Sequence, residues 1–364
     1  MKTVCELNKC NGCMVCFSIC PKQCITIADS INAMNAEIDE TVCINCKLCE
    51  RVCPNITNPE KTKPIEWKQG WADKEIRTKS TSGGAASAII RSFIQSGGYV
   101  ASCLFKGGEF VFELTNDLDV AKEFSGSKYV KSNPDGIYQK IQTQLKKDKV
   151  LFIGLPCQVA AVKNYIKKQD NLYTIDLICH GTPSIQLLRK YLSERRYDLD
   201  SINSIAFRNK TDMGLIIDNK KIELPRVADH YICTFLEGIN YTENCYSCQF
   251  ASLERVSDIT LGDSWGSPLH EEEKNGISLI LVQTDKGNEL LNQSSLNLKE
   301  VDLNNAVRNN HQLSHPSAMT EKRNTFYSYL NKHKSYCIAS WFVLPKMLLK
   351  QQIKKFLAHF HVIR

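Results

Sequence analysis

Two short cysteine runs near the N-terminus constrain this chain more than any other feature. The first run, CNGCMVCFSICP, extends from Cys10 to Pro21, and the second, CINCKLCERVCP, from Cys43 to Pro54. Both read C-x2-C-x2-C-x3-C-P, and the second copy follows the first at an offset of 33 residues. Many thiols at short regular spacings indicate metal binding rather than disulfides. Each run is therefore predicted to wrap a metal centre.

This spacing is typical of [4Fe–4S] ligands, and the fourth cysteine of each run then serves the other cluster. We predict that this fourth cysteine begins a helix. The ligands predicted for one cluster are Cys10, Cys13, Cys16 and Cys53, and those for the other are Cys20, Cys43, Cys46 and Cys49. Two zinc knuckles are the alternative, but zinc sites usually combine two C-x2-C units. Cys5 and Cys24 lie outside the runs and are predicted to be small buried apolar residues.

The composition leaves the cysteines in need of an explanation other than cross-linking. A chain of 364 residues, 43% apolar and 23% charged, can bury a sizeable core without disulfides. The N-terminal sequence lacks an apolar signal segment, and no run of about 18 apolar residues occurs, so we expect a cytoplasmic protein. The net charge of +7 is small and would be offset by clusters of about −2 each, so no nucleic-acid binding is expected.

The predicted fold class is α+β, with a ferredoxin-like N-terminal domain followed by a mixed α/β domain. Residues 1–58 form the cluster domain, residues 65–165 and 166–335 are two parts of the second domain, and residues 336–364 are a basic amphipathic tail. Two strand–turn–helix patterns, at 149–166 and 171–192, predict a mostly parallel sheet whose carboxyl edge carries the site. The tail helix is predicted either to contact a membrane surface or partner, or to dock on its own core.

Four further cysteines occupy turns or strand ends. Cys157 and Cys179 follow the two predicted strands, and Cys245 and Cys248 form a C-x2-C pair. Together they predict a third four-thiolate site, assembled across the fold. Two alternatives stay open: the single cysteines pack in the core, and the pair is a zinc half-site or a redox dithiol. Cys103 and Cys233 are predicted to be core residues.

Six motifs, in one order over about residues 65–335, carry a family resemblance. STSGGAAS, GSKYVKS, LFIGLPCQVAAVK, DLICHGTPS, and CYSC with GDSWG resemble the coenzyme F-420 hydrogenase/dehydrogenase beta subunit family, to which plant 7-hydroxymethyl chlorophyll a reductase belongs. The resemblance implies a flavin-binding domain that holds FAD beside a [4Fe–4S] cluster. It implies cluster ligands at Cys157, Cys179, Cys245 and Cys248, and flavin contacts at Ser82, Gly83, Gly84, Gly126, Ser127, Lys128 and Tyr129.

Some of these residues have a simpler alternative. The glycines at 83–84 precede a predicted helix at 85–96, where amide groups favour an anion, but they also suit a plain turn. Lys128 suits the flavin or its pyrophosphate, or is a surface lysine. His180 is a candidate catalytic proton donor, or it only holds a backbone carbonyl. Ser264 stands where many members have phenylalanine, which is expected to alter what the pocket admits.

The resemblance implies an oxidoreductase. A soluble electron donor, such as ferredoxin or a redox subunit, is expected to reduce the clusters, which relay electrons to FAD. The substrate is expected to be a small organic molecule or a deazaflavin coenzyme, and relatives of this bacterial kind suggest a sugar intermediate of surface-polysaccharide assembly. The alternatives are an electron-transfer subunit of a larger complex, without its own substrate, and a cluster-based sensor or scaffold.

Overall fold

The N-terminal part is a small antiparallel sheet with two short helices. The computed structural model describes residues 2–359. The elements of this part are β1 (Lys2–Thr3), α1 (Val15–Ile19), β2 (Ile25–Asp29), β3 (Met34–Ile38) and α2 (Leu48–Val52). The strand order is β1-β3-β2.

The two cysteine runs adopt the same local backbone. Met14 and Lys47 precede α1 and α2 with left-handed φ values of 57° and 58°. Each helix ends at the fourth cysteine of its run, Cys20 or Cys53, which is the C-terminal cap. The prediction that this cysteine begins a helix is therefore wrong. The proline that follows it has no amide hydrogen and leads the chain away from the helix.

The larger part contains an eight-stranded sheet and a separate three-stranded sheet. Its strands are β4 (Glu66–Ala72), β5 (Tyr99–Lys106), β6 (Glu109–Thr115), β7 (Val150–Gly154), β8 (Leu172–Leu177), β9 (Ile205–Asn209), β10 (Asp212–Ile217), β11 (Lys220–Lys221), β12 (Ile259–Asp263), β13 (Ser278–Val282) and β14 (Leu296–Lys299). The large sheet has the order β14-β4-β13-β12-β8-β7-β5-β6, and the small one β11-β10-β9.

Helices cover both faces of the large sheet and form the C-terminal part of the chain. They are α3 (Lys74–Lys79), α4 (Ala85–Gln95), α5 (Leu118–Lys122), α6 (Ile137–Gln144), α7 (Pro156–Tyr165), α8 (Ile185–Glu194), α9 (His230–Leu236), α10 (His270–Glu273), α11 (Asp285–Gln293), α12 (Leu303–Asn309), α13 (Glu321–His333), α14 (Tyr336–Val343) and α15 (Pro345–His359). Within residues 2–359, no helix has the length and apolar content needed to cross a membrane.

The large sheet confirms a mixed α/β architecture, but it is parallel only at its centre. β12, β8, β7 and β5 are parallel neighbours. The strands on either side of them pair antiparallel. The expectation of a mostly parallel sheet is therefore wrong at the edges. Gly107 and Gly108, both with positive φ, form the two-residue turn between β5 and β6, and a connection this short permits only antiparallel pairing.

The central strands position the functional residues because they are buried on both faces. Every residue of β7 is buried. Phe152 packs with α6 and α7 on one face, and the next residue, Ile153, packs with α4 on the other. The loops that follow β7, β8 and β12 therefore start from a rigid layer and meet at one edge of the sheet.

The cluster domain packs directly on the larger part. Val15 and Val52, from its two helices, join the apolar cluster formed by α6, α7 and β7. The Asn164 side chain on α7 donates hydrogen bonds to the carbonyl oxygens of Val52 and Thr57 at 3.2 and 2.7 Å. The two parts of the chain therefore share one core.

The C-terminal tail forms two helices. Pro345 begins α15 directly after α14 ends. Leu348 and Gln351 are buried against the protein, whereas Leu349 and Ile353 are more than half exposed. The tail therefore docks on its own core along one face and presents an apolar face outward. Residues 360–364 of the predicted tail lie outside the described residues.

Candidate iron–sulfur and flavin site

The structure gathers three cysteines of the second run and one of the first around one cavity near the surface. Cys20, Cys43, Cys46 and Cys49 line it, together with apolar side chains that include Ile25 and Ile38. We call these four cysteines the outer site. Cys20 comes from the first run, so the backbone brings one cysteine of that run beside three of the second, as the predicted exchange of ligands requires. Cys46 is exposed.

The other four cysteines of the runs form a buried group, which we call the inner site: Cys10, Cys13, Cys16 and Cys53. Each is at most 6% exposed. Cys53 lies within electrostatic range of Cys13, and Cys13 of Cys16. Burial, followed by the neighbouring thiol, raises the pKa of Cys13 to about 12, so this side chain needs a bound cation to become a thiolate.

Cys5 and Cys24 are buried, but they are more than packing residues. The Cys5 thiol contacts those of Cys10 and Cys53. The Cys24 Sγ lies 3.4 Å from the Cys20 Sγ. Each four-cysteine group therefore has a fifth thiol at its edge, which the run spacing could not reveal.

The predicted third group also comes together, and we call it the core site: Cys157, Cys179, Cys245 and Cys248. The thiols of Cys245 and Cys248 lie within electrostatic range of both Cys157 and Cys179. Burial is the first cause that raises the pKa of the Cys157 and Cys179 thiols, and the neighbouring thiols raise it further. Cys157 is also within electrostatic range of Cys13, so the core and inner sites are adjacent.

Local sequence fixes Cys157 at the end of β7. Pro156 is the first residue of α7, a position where its missing amide hydrogen has no cost. The Gln158 side chain accepts from the Leu155 amide at 2.9 Å and donates to the Ser132 hydroxyl at 2.8 Å. A side chain at Gly154 would come within 2.8 Å of the Phe152 ring. The Gly-x-Pro-Cys-Gln motif is thus a tight strand-to-helix turn.

The Cys179 loop is tied to the segment that carries Cys245. Gly181 has a φ of +139°, and a side chain there would come within 2.4 Å of the Tyr241 ring. The Thr242 amide donates to the Thr182 carbonyl oxygen at 3.1 Å. These contacts join two segments that are distant in sequence.

A buried ion pair, which the sequence analysis missed, fixes Cys248 relative to β8. The Arg255 guanidinium donates to Asp176 Oδ1 at 2.9 Å, and both side chains are almost completely buried. It also donates to the carbonyl oxygens of Phe250 and Leu177 at 2.8 and 3.2 Å. Arg255 therefore connects the loop after Cys248 with the strand that leads to Cys179.

Lys131, also missed, lies between the inner and core sites. Its ammonium is within electrostatic range of the Cys245, Cys157, Cys10 and Cys179 thiols. Burial lowers the pKa of Lys131, but these negative neighbours outweigh that effect and the pKa is raised overall. Lys131 is 8% exposed and donates to the Asn11 carbonyl oxygen at 3.1 Å.

No group of three or more His, Cys, Asp or Glu side chains among residues 2–359 is arranged to hold a single metal ion.

The two segments predicted to contact flavin lie side by side. The hydroxyl oxygens of Thr81 and Ser127 are 3.3 Å apart, which places Ser82–Gly84 beside Gly126–Tyr129. Gly126 has a φ of +94° with open space where a side chain would stand. A side chain at Gly83 would come within 2.4 Å of the Gly70 carbonyl oxygen, so packing against β4 already requires this glycine.

The Lys128 ammonium donates hydrogen bonds to backbone carbonyl oxygens of the protein itself. Its Nζ donates to the carbonyl oxygens of Phe124 and Ser125 at 2.7 and 2.9 Å, and to that of Glu123 at 3.4 Å. These three carbonyls occupy the three donors of the ammonium. The structure therefore gives Lys128 a role at the C-terminal end of α5 and does not direct it at a ligand.

Arg208 and Asp263 form the polar centre of this region, and the sequence analysis missed Arg208. Arg208 Nη2 lies 2.9 Å from Asp263 Oδ2, and the guanidinium is 5% exposed. Its Nε is buried without a hydrogen-bond partner among the described residues. Both residues lie within electrostatic range of Tyr129 and of His180. A buried donor without a partner fits a polar ligand group at this place.

His180 connects this region with the core site, because it follows Cys179. The Gln312 side-chain amide donates to His180 Nδ1 at 2.8 Å, so the side chain holds no backbone carbonyl through that atom. Burial, followed by His311, lowers the pKa of His180 to about 4. The ring is therefore neutral near pH 7 and carries its proton on Nε2.

Ser264 does not face this region. Its side chain is buried and its hydroxyl donates to Gln69 Oε1 at 2.9 Å. The expectation that this serine alters what the pocket admits stays a prediction, and its hydroxyl is already used by Gln69 of β4.

Known proteins match both parts of the chain. Residues 9–56 match the model of a 4Fe-4S dicluster domain. Residues 147–305 match the model of the C terminus of the coenzyme F420 hydrogenase/dehydrogenase beta subunit. The chain is thus an iron–sulfur protein with a dicluster domain joined to a mixed α/β domain. Its residues 147–305 thus match the coenzyme F420 hydrogenase/dehydrogenase beta subunit family, as the sequence motifs predict.

Individual relatives are distant. The chain is 22% identical over 325 residues to a coenzyme F420-dependent sulfite reductase of Methanocaldococcus jannaschii, covering 83% of this chain and 49% of that protein. It is 24% identical over 245 residues to a coenzyme F420 hydrogenase subunit beta of Methanococcus voltae, covering 63% of this chain and 82% of the relative. The chain therefore spans about half the length of the sulfite reductase.

A solved structure shares the fold. A chain of the F420-reducing [NiFe] hydrogenase complex from Methanosarcina barkeri superimposes with a TM-score of 0.52 at 18% sequence identity. The match covers 74% of this chain and 95% of that chain.

Proposed function

We propose that the chain is an iron–sulfur flavoprotein oxidoreductase that passes electrons between three [4Fe–4S] clusters and FAD. The substrate class is a small organic molecule or a deazaflavin coenzyme. The observation that carries the proposal is the convergence of the four core-site thiols beside the inner site. Packing alone would not bring four cysteines from three separate segments into mutual electrostatic range in the protein interior.

The arrangement of the three sites supports a path inward. The outer site has an exposed cysteine, and its Cys49 lies within electrostatic range of Cys16 of the inner site. The inner site is in turn adjacent to Cys157 of the core site. A soluble one-electron donor, such as a ferredoxin or a redox subunit, would meet the outer site first. The twelve cysteines would hold the clusters.

The region around Arg208 supports flavin binding. A bound flavin supplies the conversion between single electrons and hydride equivalents. The N-terminus of α4 and the open side of Gly126 suit the pyrophosphate, and the unpaired Arg208 Nε suits a ring oxygen or nitrogen. His180, neutral and next to Cys179, holds a proton on Nε2 at the boundary between the core site and this region.

The exposed face of the tail supports contact with an anionic membrane surface. Leu349 and Ile353 on α15 and Trp341 on α14 are exposed. Residues 336–359 contain four lysines and no acidic residue. An apolar stripe with lysines beside it is the pattern of a helix that lies in the lipid interface. This contact would place the protein at a membrane surface without spanning it.

Anaerobic purification tests the redox proposal. We expect about twelve irons, equal inorganic sulfide and one FAD per chain, with the flavin reduced by dithionite through the clusters. About eight irons would leave the core site empty and remove the relay. Twelve irons without flavin would favour an electron-transfer subunit without its own substrate, a role supported by the hydrogenase-subunit relative.

Sedimentation with vesicles tests the membrane contact. The full chain is expected to bind vesicles that contain phosphatidylglycerol and not vesicles of phosphatidylcholine alone. The double substitution Leu349→Glu and Ile353→Glu is expected to abolish binding. The charge-matched control is Asn292→Glu with Gln293→Glu, which adds the same two negative charges at exposed positions of α11. Equal binding of both variants would contradict the proposed contact.

A further inference from the structure

We propose that Lys131 is a charge-compensating residue shared by the inner and core sites. Its fixed positive charge stabilises the extra negative charge that each cluster carries after it accepts one electron from the soluble donor. Lys131 gains and loses no proton in this role. The inference rests on the proposed function, because it requires [4Fe–4S] clusters at both sites.

The first support is position. The Lys131 ammonium donates to the Asn11 carbonyl oxygen at 3.1 Å, inside the loop between Cys10 and Cys13. The Lys131 amide donates to the Pro183 carbonyl oxygen at 2.8 Å, in the loop after Cys179. A side chain at Gly12 would come within 3.3 Å of Lys131 Cδ, so the lysine stem lies against the inner-site loop. Lys131 therefore spans the boundary between the two sites.

The second support is the nature of the groups that face the ammonium. Lys131 is 8% exposed, and the negative groups within its electrostatic range are the thiols of Cys245, Cys157, Cys10 and Cys179. A buried ammonium is costly unless negative charge compensates it. Compensation therefore requires the thiolates that a cluster provides at each site.

The third support is a contrast with Lys128, three residues earlier. That ammonium also lies inside the protein, but carbonyl oxygens of residues 123–125 accept from all three of its donors. Carbonyl dipoles compensate Lys128, together with Glu123 and the single thiol of Cys103 within its electrostatic range. Lys131 has one carbonyl partner and otherwise faces cysteines, which distinguishes an electrostatic role from a structural one.

The test is an anaerobic redox titration of the full chain, followed by EPR spectroscopy. In Lys131→Met, the midpoint potentials of the inner and core clusters are expected to fall, while that of the outer cluster stays unchanged and serves as the internal control. Lys131→Arg keeps the charge and is expected to retain both potentials. Lys128→Met is the control for removing a partly buried lysine from the same segment and is expected to leave all three cluster potentials in place.

The outcomes separate this inference from the proposed function. Twelve irons with unshifted potentials in Lys131→Met would overturn the role of Lys131 alone. Eight irons in the unaltered protein would overturn the proposed function first, since the core cluster would be absent. If Lys131→Met fails to retain iron at the core site, retention in Lys131→Arg would support the charge requirement. Equal iron loss in both variants would contradict it.

Discussion

The inner and outer sites are built from two twelve-residue runs with the same cysteine spacing, yet they differ in their exposure to solvent. Every cysteine of the inner site is buried, whereas Cys46 of the outer site is exposed, with the side chain of Ile44 56% exposed beside it. The runs share their left-handed residue and their five-residue helix. The difference arises from the larger part of the chain, which covers only one of the two. The local sequence therefore determines how the cysteines of each site are arranged. The packing of the larger part of the chain determines how far each site is shielded from solvent.

The largest effect is expected from removing the crossed ligand of each site. Cys53→Ser and Cys20→Ser should each lose about four irons per chain, because the fourth ligand is missing. In Cys53→Ser the outer and core sites lose the connection between them, so flavin reduction from the outer site should stop. Iron analysis and EPR of the two variants check this. Loss of the same cluster in both variants would contradict the assignment of Cys53 to the inner site and Cys20 to the outer site.

The second-largest effect is expected in the rate at which chelators and oxygen remove iron from the outer and inner sites. The outer cluster is expected to be lost first, since its cysteine at position 46 is open to solvent. A time course of iron release, with the two EPR signals followed separately, should show two phases of about four irons each. Simultaneous loss would mean that docking does not insulate the inner site.

The third effect concerns the contact that covers the inner site. The Tyr138 hydroxyl donates to the Cys13 carbonyl oxygen in a buried setting. Tyr138→Phe leaves that carbonyl without this donor and should lower the free energy of unfolding by about 1–3 kcal/mol. Anaerobic chemical denaturation measures it. Tyr165→Phe, whose hydroxyl has no hydrogen bond among residues 2–359, is the control, and an equal loss there would assign the effect to packing.

The smallest effect is expected at the exposed side of the outer site. Ile44→Glu should slow cluster reduction by a soluble protein donor about fivefold. This corresponds to a loss of about 1 kcal/mol in the binding free energy of the complex between donor and protein. Reduction by dithionite, which needs no docking surface, should stay the same. Stopped-flow absorbance compares the two reductants. Slowing with both would indicate a damaged cluster instead of a lost contact.

The sequence alone predicts the features that depend on residues close together in the chain. The cysteine spacing predicts which thiols of residues 10–53 gather, because a loop of fixed backbone carries three of them. The motifs around Cys157 and Cys179 predict strand ends, and these ends meet at one sheet edge as expected. The sequence does not show that Cys20 and Cys53 end a helix instead of beginning one. Each helix has only five residues, which is too short to show a helical period in the sequence.

The missed residues share one physical reason. Lys131, Arg208 and Arg255 are charged, and charged side chains are mostly exposed unless they are paired. Their burial depends on partners that lie far away in sequence, such as Asp263 for Arg208 and Asp176 for Arg255. Without these tertiary contacts, each is indistinguishable from a surface residue. The reverse holds for Lys128, whose motif position suggested a ligand and whose carbonyl partners are its own neighbours.

The Arg255–Asp176 pair has a consequence for how the core site is assembled. It joins the Cys248 loop to β8 by contacts that include no cysteine and no metal. We therefore expect the loops that carry Cys179 and Cys248 to keep their relative positions without a bound cluster, so that assembly inserts the cluster into a preformed site.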